Sequence, residues 1–394
     1  MIENQKVNKL DYLLIYLLVA VTGFEFFFRA VWILYFIIGP ISAYLFFIRK
    51  QHISKHFIYF TIMFIVWSIF QIIYNSSTAS VLFNFYIRFL IYYFTICSIN
   101  DLSKPFLKVI YHICCISLFF YIVTLIEPIK ELLINIFSFI KPLEGGIDED
   151  ITTNPGQSLI IYFIPFKNEL RNSGPFWEPG MFSVFINIAL VLSILKNYSN
   201  TFNNGLDKIS KLLVITSFTT LSTSGYIATF FILVYYYTLI NRQVKSLLYI
   251  TLLIIPILIF INSDFGAEKI IDASQDEASY SRFGAIAYHL SLMKDNVFIG
   301  VGFHSNSDFG SAVSPNGLSL MFLFWGIPAA IVYYILLFKS TKVLVGYGNG
   351  EVSLKNVWLL YIVLLLVAFS QDITQRHFYY MLLIYFTKSY NKQI

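Results

Sequence analysis

The stretch "RNSGPFWEPG" (171–180) sets an arginine and a glutamate seven residues apart, directly before the apolar run "MFSVFINIALVLSIL". Charge at the mouth of a lipid-soluble helix is costly, so these side chains need a reason to be there. The guanidinium of Arg171 offers five donors in a rigid fork that matches phosphate bidentately. Glu178 falls where the dipole of the following helix stabilises an anion by roughly 0.3–1 kcal/mol. It can serve as a cap partner or take a proton from a substrate hydroxyl. Two further arginines stand in polar segments: Arg282 in "SYSRFGAIAYH" and Arg376 in "QDITQRHFYY". Each reads either as an anion-binding group or as a solvated surface cation. His289 and His304 are candidate general bases, because an unperturbed imidazole titrates near neutral pH. Arg88, in "VLFNFYIRFLIYYF", is the one cation deep in an apolar run. Such a charge is expected to face the bundle interior and to mark function.

Other chemistries find little support. The acidic triplet "DED" (148–150) resembles a metal-binding D-x-D only superficially, and no His/Cys cluster accompanies it. Cys97, Cys114 and Cys115 sit in apolar runs and suit helix packing rather than a zinc site or disulfide framework. The glycine-bearing "VGFHSNSDFG" lacks the lysine of a P-loop, and neither G-x-S-x-G nor H-E-x-x-H occurs. No metal and no cofactor is expected.

The elements that must position these groups follow from composition. Of the 394 residues 57% are hydrophobic and only 12% charged, half the roughly 25% charge of a soluble domain. The chain therefore reads as a single integral membrane domain, residues 1–394, an all-α polytopic fold. Its net charge of +5 is spread over short loops and gives no nucleic-acid signal. About twelve apolar blocks approach the ~20 residues a crossing helix needs. They lie near 12–28, 30–48, 57–73, 79–99, 106–126, 179–195, 209–221, 225–240, 246–262, 317–338, 354–370 and 377–388. The seventh and twelfth are short. Alternate loops collect 17 of the 27 basic residues, which places both termini inside. Two long polar segments, 127–178 and 263–316, then lie outside. Each holds a short helix: an interfacial one in "IKELLINIFSFI" and an amphipathic one in "RFGAIAYHLSLM". Glu25, at the outer end of the first block, is four residues from Arg29 and suits an i,i+4 ion pair.

The order of these features resembles the Wzy-type O-antigen and capsule polymerases, in the superfamily that includes the O-antigen ligases. The stretches that carry it are "RNSGPFWEPGMFSVFINIALVL", "LSTSGYIATFFILV", "SRFGAIAYHLSLMKDNVFIGVGF" and "SPNGLSLMFLFWGIP", over roughly residues 165–340. The resemblance implies a multi-pass glycosyltransferase of the bacterial cytoplasmic membrane, serving O-antigen lipopolysaccharide or capsule synthesis. It would join undecaprenyl-diphosphate-linked oligosaccharides at the outer face. A chain-length regulator, a flippase and membrane lipids would be its partners, with no nucleic acid. The family's outer-loop arginines carry over to Arg171 and Arg282, which would hold the diphosphate. Arg376, Arg88 and Asn316 are further substrate contacts, and Glu178 or His304 would take the acceptor's proton. Ligases place a histidine before the asparagine opening the late span; here Pro315 precedes Asn316, which argues for polymerase. The R-x(10)-G spacing of some polymerases is absent after both arginines. A ligase-like transferase and a flippase without chemistry are the rival readings.

Overall fold

The computed structural model describes residues 8–27, 30–140, 156–165, 170–196, 206–237, 282–303, 316–349 and 353–388. The ninth apolar block (246–262), the acidic triplet, Arg29 and His304 lie outside the described residues, as does the side chain of Arg282. In chain order come α1 (Lys9–Gly23), a π-helical turn (Leu34–Ile38) running into α2 (Gly39–Ile48), α3 (Lys55–Asn75), α4 (Ala79–Ser98), α5 (Ser103–Thr124) and α6 (Glu127–Phe137). A small antiparallel hairpin follows, β1 (Gly156–Ser158) with β2 (Phe163–Pro165). Then come α7 (Pro179–Lys196), α8 (Lys208–Thr219), α9 (Thr223–Tyr235), α10 (Arg282–Leu292), α11 (Gly317–Asn349), α12 (Leu354–Ser370) and α13 (His377–Leu383), the last continued by a 3-10 turn (Ile384–Thr387).

Helix is the form these runs must take, because a bilayer offers the backbone no partner outside its own segment. Among the described residues five helices are long and apolar enough to cross a membrane: α3, α4, α5, α7 and part of α11. Their burial sorts them. Only 22% of the most apolar window of α3 is buried, whereas that of α7 is 94% buried, so α7 is the central post and α3 a peripheral one. Helix starts carry the expected caps: Ser54, Asp207 and Ser222 each accept a backbone N–H of the first turn. The short helices expected in the two long polar segments are present as α6 and α10.

Two belts of polar contacts close the bundle. At one end Arg49 pairs with Asp11 at 2.8 Å and donates to the Ser98 carbonyl. There too Ser54 Oγ donates to the Thr387 carbonyl at 2.6 Å, and Lys388 Nζ to the Asn100 carbonyl at 2.7 Å. At the other end the 299–303 segment is strapped to the tip of α3. Asn75 donates to the Gly300 carbonyl (2.9 Å), Ser77 Oγ accepts from Phe303 N (2.9 Å), and Thr78 N donates to the Phe303 carbonyl (2.8 Å).

Two apolar blocks fold differently from their hydropathy. The block at 317–338 is not one crossing helix. Gly326 breaks it with φ 78° and ψ 168°, and Pro328 starts the second part. The two parts double back: Tyr334 Oη donates to the Leu318 carbonyl at 2.9 Å, which a straight helix could not allow across sixteen residues. The first block ends at Gly23 rather than near residue 28, because Phe24 leaves the helix to form a β-bridge with Phe176.

The shortest block has a structural reason. From His377 to Thr387 the chain covers eleven residues, roughly 16 Å and about half the ~30 Å of hydrocarbon. Its lower end is fixed at the foot of α4 by Lys388. Its upper end, His377, therefore stops part-way along α4, where Tyr92 Oη meets His377 Nδ1 at 2.6 Å. The turn 371–376 before it is sunk into the bundle.

At Gly326 a Cβ would stand 2.2 Å from the Phe298 carbonyl oxygen, and the backbone region is one that essentially only glycine enters. Gly326→Ala is expected to destabilise the fold by about 1–3 kcal/mol or more. A lowered detergent-solubilised melting temperature is the readout; an unchanged one would show that the doubling back is not built on this residue.

Candidate functional site

The sunken turn gathers polar groups from distant parts of the chain. Thr374 Oγ1 donates to the Gly317 carbonyl at 2.7 Å, and the Thr374 carbonyl accepts from Tyr333 Oη at 3.0 Å. Phe378 N donates to Thr22 Oγ1 at 3.0 Å. These bonds tie the tops of α1, α11, α12 and α13 to one level.

Arg376 stands at the centre. Its Nη2 pairs with Asp372 at 3.1 Å, its Nε donates to the Asp372 carbonyl at 3.1 Å, and its guanidinium lies 5.2 Å from the centroid of the Trp177 ring. Trp177 precedes Glu178, so the stack brings "WEPG" onto the turn. Gly180 explains how closely: a Cβ there would lie 2.2 Å from Gln371 Nε2 and 3.7 Å from Glu178 Oε1. Glu178 and Gln371 thus face a common point that only glycine leaves open. The entering strand is held in turn by α1, through Glu25 N to the Pro175 carbonyl (2.9 Å) and the Phe24–Phe176 bridge. Among the described residues, Asp372 Oδ1 and Gln375 Nε2 are buried without a hydrogen-bond partner. Leaving such groups unpaired costs about 1–3 kcal/mol each, a cost that a polar ligand bound in this turn would offset.

Arg88 reaches the same place from within the bundle. Its Nε donates to Tyr35 Oη at 2.8 Å, and Tyr35 donates on to Asn84. Its charge and that of Arg376 both act on His377, and it also acts on Tyr380. Among the described residues Arg88 makes no ion pair, and Asp372 is the carboxylate seen paired with Arg376.

The other sequence-derived candidates are distributed elsewhere. Arg171 opens into a cavity of ≈ 320 Å³ beside α5 and α6, and no residue of the 371–376 turn lines it. The expected convergence of Arg171 with Arg282 is therefore not on view: Arg171 faces a separate cavity, and the Arg282 side chain lies outside the described residues. Asn316 is fully buried, and its side chain caps the first turn of α11 by accepting from Ser319 N at 3.2 Å. That is a structural duty, near the turn through Gly317. His304 falls outside the described residues. His289 is buried on α10, its Nδ1 2.8 Å from Ser319 Oγ, its Nε2 without a partner among the described residues. It holds α10 on α11.

Trp177, Gln371, Asp372 and His377 were not among the sequence candidates. The signal for them was present in "QDITQRH", where Asp372 stands four residues before Arg376, the spacing of an ion pair. Nothing in the sequence told that Trp177 would cover that arginine. No family model matches the chain, and neither does any curated protein or solved structure.

Burial holds the His289 imidazole below its ordinary 6.5, at about 4. A folded value below the unfolded one means the contact is fully stable above pH 6.5 and weakens as pH falls from 6.5 towards 4. Protease accessibility of the segment around α10 is expected to rise over that window in the native protein and to stay flat in His289→Leu. A rise of equal size in both proteins would assign the effect to other groups.

Proposed function

We propose that the chain polymerises polyprenyl-diphosphate-linked oligosaccharides by metal-independent glycosyl transfer at the outer face of the bacterial cytoplasmic membrane, with both termini inside and about twelve spans. The observation that carries this reading is the pairing of a sunken cation cluster with an apolar cavity. Arg88, Arg376 and His377 lie beside Tyr380, and Tyr380 also lines a cavity of ≈ 150 Å³ with Phe60, Phe64, Phe89 and Trp325. The cavity opens beside α3, whose Met63 is exposed. A lipid diphosphate has the matching halves, a hydrocarbon tail and a headgroup carrying concentrated negative charge.

In this reading Arg376 and Arg88 replace Arg171 and Arg282 as the groups that hold the diphosphate. The acceptor hydroxyl attacks the anomeric carbon of the donor glycan, and the bond from that carbon to the diphosphate oxygen breaks. The electron pair leaves with the diphosphate on its lipid, where the two guanidiniums stabilise it. Glu178 takes the proton from the attacking hydroxyl. Asp372 fixes the fork of Arg376, and Trp177 covers its face. Cations aimed at charge that develops as the bond breaks are commonly the largest catalytic contribution, about 10²–10³ in rate for one donor. Polarity in the sunken turn and in long outer segments also favours this reading over a flippase.

Arg376→Ala is expected to cut turnover about 10²–10³-fold in membranes supplied with lipid-linked repeat units. Glu178→Gln should remove the limb of the pH–rate profile that belongs to the base. Chains that lengthen at the native rate in Arg376→Ala, Arg88→Ala and Glu178→Gln would overturn the assignment. Cells lacking the protein should carry surface glycan of a single repeat unit; loss of all surface glycan with lipid-linked units trapped inside would instead indicate a flippase.

A further inference from the structure

The ≈ 320 Å³ cavity beside Arg171 is separate from the floor around Arg376, and its lining is of a different kind. Lys130 of α6 is buried at 8% exposure and Arg171 is half-buried, so two cations meet one carboxylate, Glu127, among the described lining residues. Tyr121, Thr124 and the buried Tyr162 complete the polar wall. Tyr162 is held rigidly, its ring stacked on Phe120 with centroids 5.4 Å apart. The volume is at the small end of the ~300–1,000 Å³ of ligand sites, room for one ring rather than an oligosaccharide.

Those features describe a ligand. Arginine and lysine together favour a carboxylate or phosphate. Tyrosines present apolar ring faces against which the C–H face of a pyranose packs, with hydroxyls at the rim. Glu127, whose side chain is 57% exposed, can only accept, which suits sugar hydroxyls. Its ion pair with Lys130 is long, at 3.4 Å.

The link to the floor is a fixed ribbon. Arg171 and Trp177 are six residues apart, at most ~20 Å. Between them the backbone is held on three sides, by Asn172 N to the Thr219 carbonyl, Phe163 N to the Gly174 carbonyl, and Glu25 N to the Pro175 carbonyl. A glycan with its reacting end over Arg376 would present a sugar a few rings away to this cavity. We propose that the cavity is a recognition subsite for one acidic sugar of the repeat unit, a uronate or a sugar phosphate. The assignment of its ligand to the repeat unit rests on the polymerase reading; the binding itself does not.

The test is saturation-transfer NMR on the full-length protein in phosphatidylcholine nanodiscs, with methyl glucuronide, methyl glucoside and inorganic phosphate as probes. The glucuronide is expected to bind about tenfold or more tightly than the glucoside, the worth of a charge-assisted hydrogen bond. Lys130→Gln and Tyr121→Leu should abolish its signal while Arg376→Ala leaves it intact. Equal binding of the glucoside would overturn the acidic class. Displacement by equimolar inorganic phosphate would reduce the site to a bare anion hole, and loss of the signal in phosphatidylglycerol nanodiscs would reassign it to lipid headgroups. Glucuronide binding in a protein that lengthens no lipid-linked glycan would leave the subsite standing and remove the polymerase reading.

Discussion

The architecture depends on one constraint: backbone polar groups inside a bilayer must find partners within the protein. A turn sunk into the bundle departs from the usual solution, in which each helix satisfies itself and turns only in water. Here the turn 371–376 is rescued by its neighbours. Gly317 offers a carbonyl, Tyr333 a hydroxyl, and Thr22 an oxygen that accepts from the second amide of α13. Each bond satisfies the turn and also fixes the height of another helix. The half-length α13 is thus the reason that four helices share a floor.

Electrostatics follow from that floor. A guanidinium at mid-membrane is tolerated where it faces protein or water rather than lipid, and where donors and rings surround it. Arg376 has a carboxylate, a carbonyl and an indole face; Arg88 has a tyrosine hydroxyl and a phenyl ring at 5.7 Å. Asp372 is the carboxylate seen paired with Arg376 among the described residues. A low dielectric amplifies what an incoming anion gains from guanidiniums held in this way. The same surroundings make any unpaired charge expensive.

Hydropathy read the helices well and their depth poorly. Apolar runs at 57–73, 79–99, 106–126, 179–195 and 354–370 became helices because an apolar segment has a single way to satisfy its backbone in lipid. The breaks were harder, because they hinge on single residues inside apolar context. "FWGIPAA" is uniformly apolar, yet Gly326 followed by Pro328 turns the chain, a glycine conformation and a proline start that averaging over a window erases. Site residues divided likewise. Arg88, Arg376 and Glu178 stand out because a charge beside lipid is conspicuous. Trp177 and Gln371 do not, since an aromatic ring or an amide near an interface is ordinary. What brings them to the candidate site is the packing of residue 177 against 376 and of 180 against 371, contacts across nearly two hundred residues that no local pattern encodes.

That long-range packing also explains why Arg171 and Glu178, so close in sequence, are held in different surroundings. The six residues between them are not a flexible tether. Ser173 to Phe176 are buried, bridged to α1 on one edge and to the hairpin on the other. A segment folded by the turn in which Phe176 N donates to the Ser173 carbonyl, and fixed on both edges, acts as a ruler, because neither end can move without breaking contacts made by the other. Arg171 is therefore held beside α5 and α6, and Glu178 beside the sunken turn, at a separation set by backbone geometry. A substrate long enough to touch both would be positioned by two rigid points, and its alignment over the floor would then depend on the ribbon's length more than on the strength of either contact.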